Sequence, residues 1–264
     1  MEYICNVHKS PVDLRDYKYV SGNLELPENL DYTNDLNPIR NQGSQGSCFA
    51  QTAACVKEWQ EKKDYGFEGY LSPQFFYNCR PNKYDNKINN DDGMFGRDVM
   101  KLMKNIGICS EISYPYGKIE HKDSIPKQIY TEARKHIVKG YARINSIDSL
   151  KNNLFKNGPS LIVFPVYNFG SQFWIKKGEL VGGHAVTVIG YNRDGFIIRN
   201  SWGTQWANDG YSIYKYTDWN AHWEIWTTID DKSVILNNNE MENIPLDDEN
   251  NENEEDGYDC CIIL

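Results

Sequence analysis

The chain has 264 residues, 40% of them hydrophobic and 13% aromatic, enough to bury one sizeable core or two smaller ones sharing a cleft. Its net charge of -9 is concentrated at one end: from Asp231 onward 11 acidic residues stand against Lys232 alone, so residues 1–230 carry about +1. A near-neutral body with an acidic tail has no positive surplus for phosphates, which argues against a nucleic-acid partner or an anionic membrane surface.

Residues 1–25 read as a short polar leader, with Glu2, His8 and Lys9 where an export signal would be apolar, and no stretch approaches the roughly 20 uncharged apolar residues of a membrane-spanning helix. The seven cysteines form no CxxC or Cys/His zinc spacing. Together these features suggest a reducing, cytoplasmic setting and call for no metal or cofactor. Tyr3, Ile4, Tyr17, Tyr19 and Val20 are apolar enough for the leader to dock over a cleft, where it would damp activity; Cys5 and His8 would lie there too. From Leu26-Pro27 to Arg40 the chain is rich in Asn, Asp and Pro and reads as an extended strap.

A Gly/Ser loop, Asn41 to Ser47, then delivers Cys48 to the first turn of a helix predicted over 48–63, with Phe49, Thr52, Val56 and Trp59 on one face. A helix N-terminus and a nearby imidazolium both lower a thiol pKa, so Cys48 is placed to be a thiolate. Its backbone N–H and the side-chain amide of Gln42 could form a two-donor oxyanion hole. Alone, such a loop could equally be a tight connection or an anion cradle. Further helices are predicted over 72–79, with Ser72 as N-cap and Pro73 next, and over 96–105, stopped by Gly107.

The second half changes period. Short apolar or β-branched runs over 160–167, 184–191, 195–199 and 210–216 read as an antiparallel sheet. His184 follows Gly182 and Gly183, which would let another backbone approach closely. A lone histidine in an apolar strand is ordinarily a hydrogen-bonded core residue. Here, however, the next strand ends in Asn200-Ser201-Trp202, an amide and an indole able to hold and shield its ring.

The blocks Gln42–Ala50, Gly182–Tyr191 and Ile197–Gly203, with Gly210-Tyr211 downstream, resemble in order the signatures of the papain (cathepsin-like) cysteine peptidases. His184 and Asn200 lie 136 and 152 residues after Cys48, close to the roughly 130–150 typical of that family. Leu26–Tyr32, Leu71–Gln74 and Ser113–Tyr116 extend the resemblance over residues 26–230.

The resemblance implies an α+β, papain-like two-lobe fold. A helical lobe of about 26–115 and an antiparallel β-barrel-like lobe of about 116–230 would flank the cleft. It implies a cysteine endopeptidase acting on peptide or protein substrates through a thioester, with Cys48 as nucleophile and His184 as acid/base. Asn200 would orient His184, Trp202 would cover that contact and Gln42 would hold the oxyanion. Gly93, Gly46, Ser47 and Trp202 would face substrate, although Asp92 departs from the usual Gly-Gly before the substrate strand.

Gln45 replaces a usual disulfide cysteine and Phe49 a usual Trp, and the leader is too short to fold as the family's inhibitory domain. Cys55, Cys79 and Cys109 are expected as buried thiols. Residues 231–264 read as a disordered tail ending Cys260-Cys261-Ile262-Ile263-Leu264, a CaaX-like signal. Prenylation at Cys261, with acylation at Cys260 as a second signal, would anchor the protein at the cytosolic face of a membrane. A catalytically silent binding module, or a Cys-dependent amidase or acyltransferase, are the competing functions. Oligomeric state has no signature in the chain.

Overall fold

A computed structural model describes residues 3–20, 22, 24–81 and 91–230; the acidic tail with Cys260 and Cys261 lies outside the described residues. Strand β1 (Leu30–Asp31) precedes helix α1 (Cys48–Tyr65), which ends at Gly66 in the left-handed conformation with its N–H returned to the carbonyls of Glu61 and Lys62. α1 is buried all round from Cys48 to Glu61, rather than on the single face its periodicity predicts, because it packs between the two lobes of the molecule. Its buried charges are paired in consequence: Lys57 with Glu61 at 2.7 Å and with Asp230, and Glu58 with Arg40 at 2.6 Å.

α2 (Pro73–Asn78) starts as the sequence predicts, with Ser72 Oγ accepting from the Phe75 N–H at 3.0 Å, and α3 spans Gly96–Asn105. Two further helices, α4 (Lys127–Ala133) and α5 (Ile147–Asn157), interrupt what reads as a purely β half. The α5 N-cap is Ser146, which accepts from the Ser149 N–H at 3.1 Å.

The remaining strands are β2 (Gly140–Arg143), β3 (Ser160–Val166), β4 (Gly182–Tyr191), β5 (Gly195–Arg199), β6 (Tyr211–Lys215) and β7 (Glu224–Ile229). They pair antiparallel in the order β2-β7-β3-β4-β5-β6, with β1 on β4. The sheet is open, correcting the barrel-like expectation: β2 and β6 are its two ends and do not pair with each other. β2 instead takes a segment of the leader, the Tyr19 N–H donating to Arg143 O at 2.8 Å and the Arg143 N–H to Tyr17 O at 2.7 Å.

Alternation along β3 divides the core. Leu161 and Val163 join α1, α2 and α3 on one face, while Ile162 and Phe164 join α5, β4 and β5 on the other.

Candidate active site

Cys48 is the first residue of α1 and is fully buried. The hydroxyl of its neighbour Ser47 donates to the Tyr116 oxygen at 2.7 Å, because the Tyr116 proton is committed to Gln42 O at 2.9 Å. Gln42 is held at both ends of its amide: Oε1 accepts from Ser201 Oγ at 2.7 Å and Nε2 donates to Gln45 O at 2.9 Å. One amide hydrogen of Gln42 remains uncommitted, and the Cys48 N–H, in the first turn of α1, has no intrahelical acceptor.

Across the cleft, β3–β4 pairing sets Phe164 opposite His184 and Val163 opposite Ala185. The Ala185 N–H, one residue beyond the imidazole, faces the Cys48 sulfur, as does the Phe49 N–H. His184 Nε2 lies 2.8 Å from Asn200 Oδ1, which also accepts from the Ser201 N–H at 2.7 Å. An amide oxygen can only accept, so the network assigns the proton to Nε2 and leaves a lone pair on Nδ1. Nδ1 is buried and unpartnered among the described residues. Trp202 stacks on the imidazole at 4.3 Å and 25°, and Phe173 meets it edge-on at 5.5 Å.

The electrostatics depart from the thiolate expectation. Burial pushes the Cys48 thiol up to about 12, outweighing the N–H groups of Ala185, Phe49 and Cys48 itself that favour the anion, and burial pushes His184 down to about 4. Both groups are neutral near pH 7, because the site is covered.

The cover is the leader. Tyr3 stacks on the site's aromatic shield, its ring 4.4 Å from Trp202 at 8°. The Val7 N–H donates to Gly183 O at 3.1 Å and the His8 N–H to Met94 O at 3.2 Å, so residues 6–8 form parallel bridges to both walls. Glycine is required on each wall, since a Cβ at Gly182 or Gly93 would strike the Cys5 or Asn6 carbonyl, and one at Gly46 the Asn6 side chain. Cys5, Val7 and Ser10 are buried, whereas Tyr17 and Val20 are 69% and 76% exposed, which corrects their expected docking.

The structure thus brings Gln42, Gly46, Ser47, Cys48, Gly93, His184, Asn200 and Trp202 around one cleft. Cys55, Cys79 and Cys109 are buried free thiols. Sequence reasoning missed Tyr116, Tyr77, Asp91 and the Ala185 N–H. Tyr116 lies in the motif noted at the lobe crossing and Ala185 in the Gly182–Tyr191 block, whereas Tyr77 and Asp91 carry no local signal.

Compared with known proteins, residues 26–227 match the family described as papain family cysteine protease. A peptidase C1-like protein of Acanthamoeba polyphaga mimivirus is 28% identical over 84% of this chain and 78% of its own length. Cathepsin K of Mus musculus is 31% identical over 71% of this chain, and the matched region spans 59% of that protein. Among solved structures, Xylellain, a cysteine protease from Xylella fastidiosa, superposes with a TM-score of 0.72 at 27% identity, covering 86% of this chain and 96% of that one.

Proposed function

Because the chain belongs to the papain family of cysteine proteases, we propose that it cleaves peptide bonds with Cys48, His184, Asn200 and Gln42 in the roles the family motifs imply. The Cys48 proton passes to His184 Nδ1 and the sulfur attacks the substrate carbonyl carbon. The developing oxyanion is held by the Cys48 N–H and the free amide hydrogen of Gln42. The tetrahedral species collapses as His184 gives its Nδ1 proton to the leaving amine, leaving a thioester. Water then attacks, His184 takes its proton, and the thiolate leaves.

The observation that carries this reading is the His184–Asn200 hydrogen bond under Trp202. It commits Nε2 and leaves a lone pair on Nδ1 one residue from the N–H that faces the Cys48 sulfur. The buried site further supports a self-covered resting form, in which residues 3–8 occupy the cleft and keep thiol and imidazole neutral. Substrate would bind only after this segment leaves.

The test is labelling by an epoxide-type papain-family inhibitor and cleavage of a mixed fluorogenic peptide library, with and without residues 1–25, beside Cys48→Ala. Labelling and cleavage that require Cys48 and rise on leader removal are expected. Neither, in both forms under reducing conditions, would leave the chain a binding module.

A further inference from the structure

The helical wall of the cleft brings together two segments distant in sequence, the loop 42–47 that carries Cys48 and the stretch 91–94 that meets the peptide in the cleft. The described cysteines are all free, so no disulfide joins these segments within the described residues. A carboxylate does. Both oxygens of Asp91 accept from the Gly46 N–H, at 2.8 and 3.0 Å, and Oδ1 also accepts the Tyr77 hydroxyl proton. The Tyr77 oxygen in turn accepts the Gly93 N–H at 3.3 Å. Tyr77 is on α2 and only 2% exposed, so the hub of this chain is fixed in the core.

The stretch that Asp91 secures is the one the leader uses. Asn6 Nδ2 donates to Asp91 O, His8 Nε2 lies 2.9 Å from Asp92 O, and the His8 N–H donates to Met94 O at 3.2 Å. A substrate peptide taking the leader's place would run along the same stretch, and its distance from Cys48 would depend on how 91–94 is held against Gly46. Charge-assisted hydrogen bonds are about twice as strong as neutral ones, which suits a carboxylate to the task.

Resting on the peptidase reading above, we propose that Asp91 is a positioning residue that ties the nucleophile loop to the peptide-binding edge through Gly46 and Tyr77. Two consequences separate this from general support of the fold. Loss of the tie loosens peptide binding more than chemistry. Loss of the carboxylate's charge, which lies near enough to Cys48 to disfavour its thiolate, eases ionisation of the thiol.

The experiment uses the full chain carrying Tyr3→Ala and Val7→Asp to loosen the leader. On that background Asp91→Asn, Asp91→Ala and Tyr77→Phe are compared by peptide kinetics and by the pH profile of Cys48 alkylation with iodoacetamide. Expected are a KM rise of about tenfold for Asp91→Ala and about threefold for Asp91→Asn, with kcat within about twofold. The Asp91→Asn alkylation profile should move to lower pH, while Tyr77→Phe raises KM about twofold and leaves that profile in place.

Unchanged KM and profile in Asp91→Asn overturn the proposal, as does a loss confined to kcat. If Asp91→Ala fails to fold, Asp91→Asn and Tyr77→Phe still decide. Absence of Cys48-dependent labelling and cleavage in the background chain itself sinks the peptidase reading, and this inference with it.

Discussion

The two walls of the cleft are built by different means. On the sheet wall, His184 is placed by backbone register, Phe164 opposite it on β3, and pinned by the Asn200 amide under Trp202 and Phe173. On the helical wall, Cys48 is placed by the start of α1, but the loop before it is held by side chains: Asp91 on Gly46, Tyr116 on Gln42 and Ser47, and Gln74 on Gln45 at 3.1 Å. A register of several paired residues moves as a unit, whereas individual hydrogen bonds can be removed one at a time. Cys48 and Gln42 themselves apart, the sheet wall should therefore answer substitution by losing chemistry, and the side chains that hold the helical wall by losing fit.

The sharpest way to break this contrast is His184→Ala. It should lower kcat by roughly a thousandfold or more with little change in KM, read by steady-state kinetics on the leader-loosened chain. An equal loss through KM would place the imidazole in binding rather than in the reaction.

A second difference appears in pH dependence. His184 is held neutral by burial, its pKa lowered from 6.5 to about 4, so an unfolded chain takes up that proton first as the solution acidifies. Its contribution to stability is complete above pH 6.5 and falls away between 6.5 and 4, by about 3 kcal/mol at most. His222, lowered to about 4 by burial, adds to the same loss. Cys48 does the reverse, its pKa raised from 9.0 to about 12, so stability declines as pH rises through that interval. Melting temperatures across pH 4 to 11 should show a plateau with both shoulders, and removing the leader should shrink both by rehydrating the site. Shoulders unaffected by leader removal would mean that the walls themselves, not the cover, desolvate these groups.

The leader sharpens the comparison because it touches both walls. Its Tyr3–Trp202 stack belongs to the sheet wall, and an aromatic pair contributes about 0.5–1.5 kcal/mol. Tyr3→Ala should therefore speed Cys48 labelling about three- to tenfold at neutral pH.

The smallest effect is expected further out, where Asp16 bridges Arg97 of α3 at 2.7 Å and Arg143 of β2 at 2.6 Å. Hydrogen bonds and charge from these two arginines lower the Asp16 pKa below 3.8 despite partial burial. Asp13, which is paired with Arg15, and Glu224, which is 3.1 Å from Arg143, complete the charges around it. The latch is present above the ordinary aspartate range and is lost only as pH falls through the lowered value. Asp16→Asn should raise labelling about threefold at pH 7, the scale of a partly exposed ion pair. No rise would show that residues 3–8 hold the cover unaided.

The chain's own letters determined which groups can do chemistry, since a thiol at a helix start, an imidazole after two glycines and an amide before an indole are residue-type requirements. They also determined α2 and α3, whose limits lie in local signals: Ser72 as cap with Pro73 beside it for one, and the glycine stop at Gly107 for the other.

α1 was placed but its burial was misread, because a helix wedged between two lobes buries its polar sides as well, and only the partners of Lys57 and Glu58 make that tolerable. α4 and α5 went unread amid the β-rich half, and the open order of the sheet went unread because strand edges are decided by what pairs with what. Asp91 could not be found by pattern either: its carboxylate acts on Gly46, 45 residues away in sequence, and only the folded chain makes them neighbours. The same holds for the state of the site. Local sequence placed Cys48 where a helix favours its anion, but burial in the folded chain pushes the thiol the other way, because desolvation depends on everything packed around the sulfur.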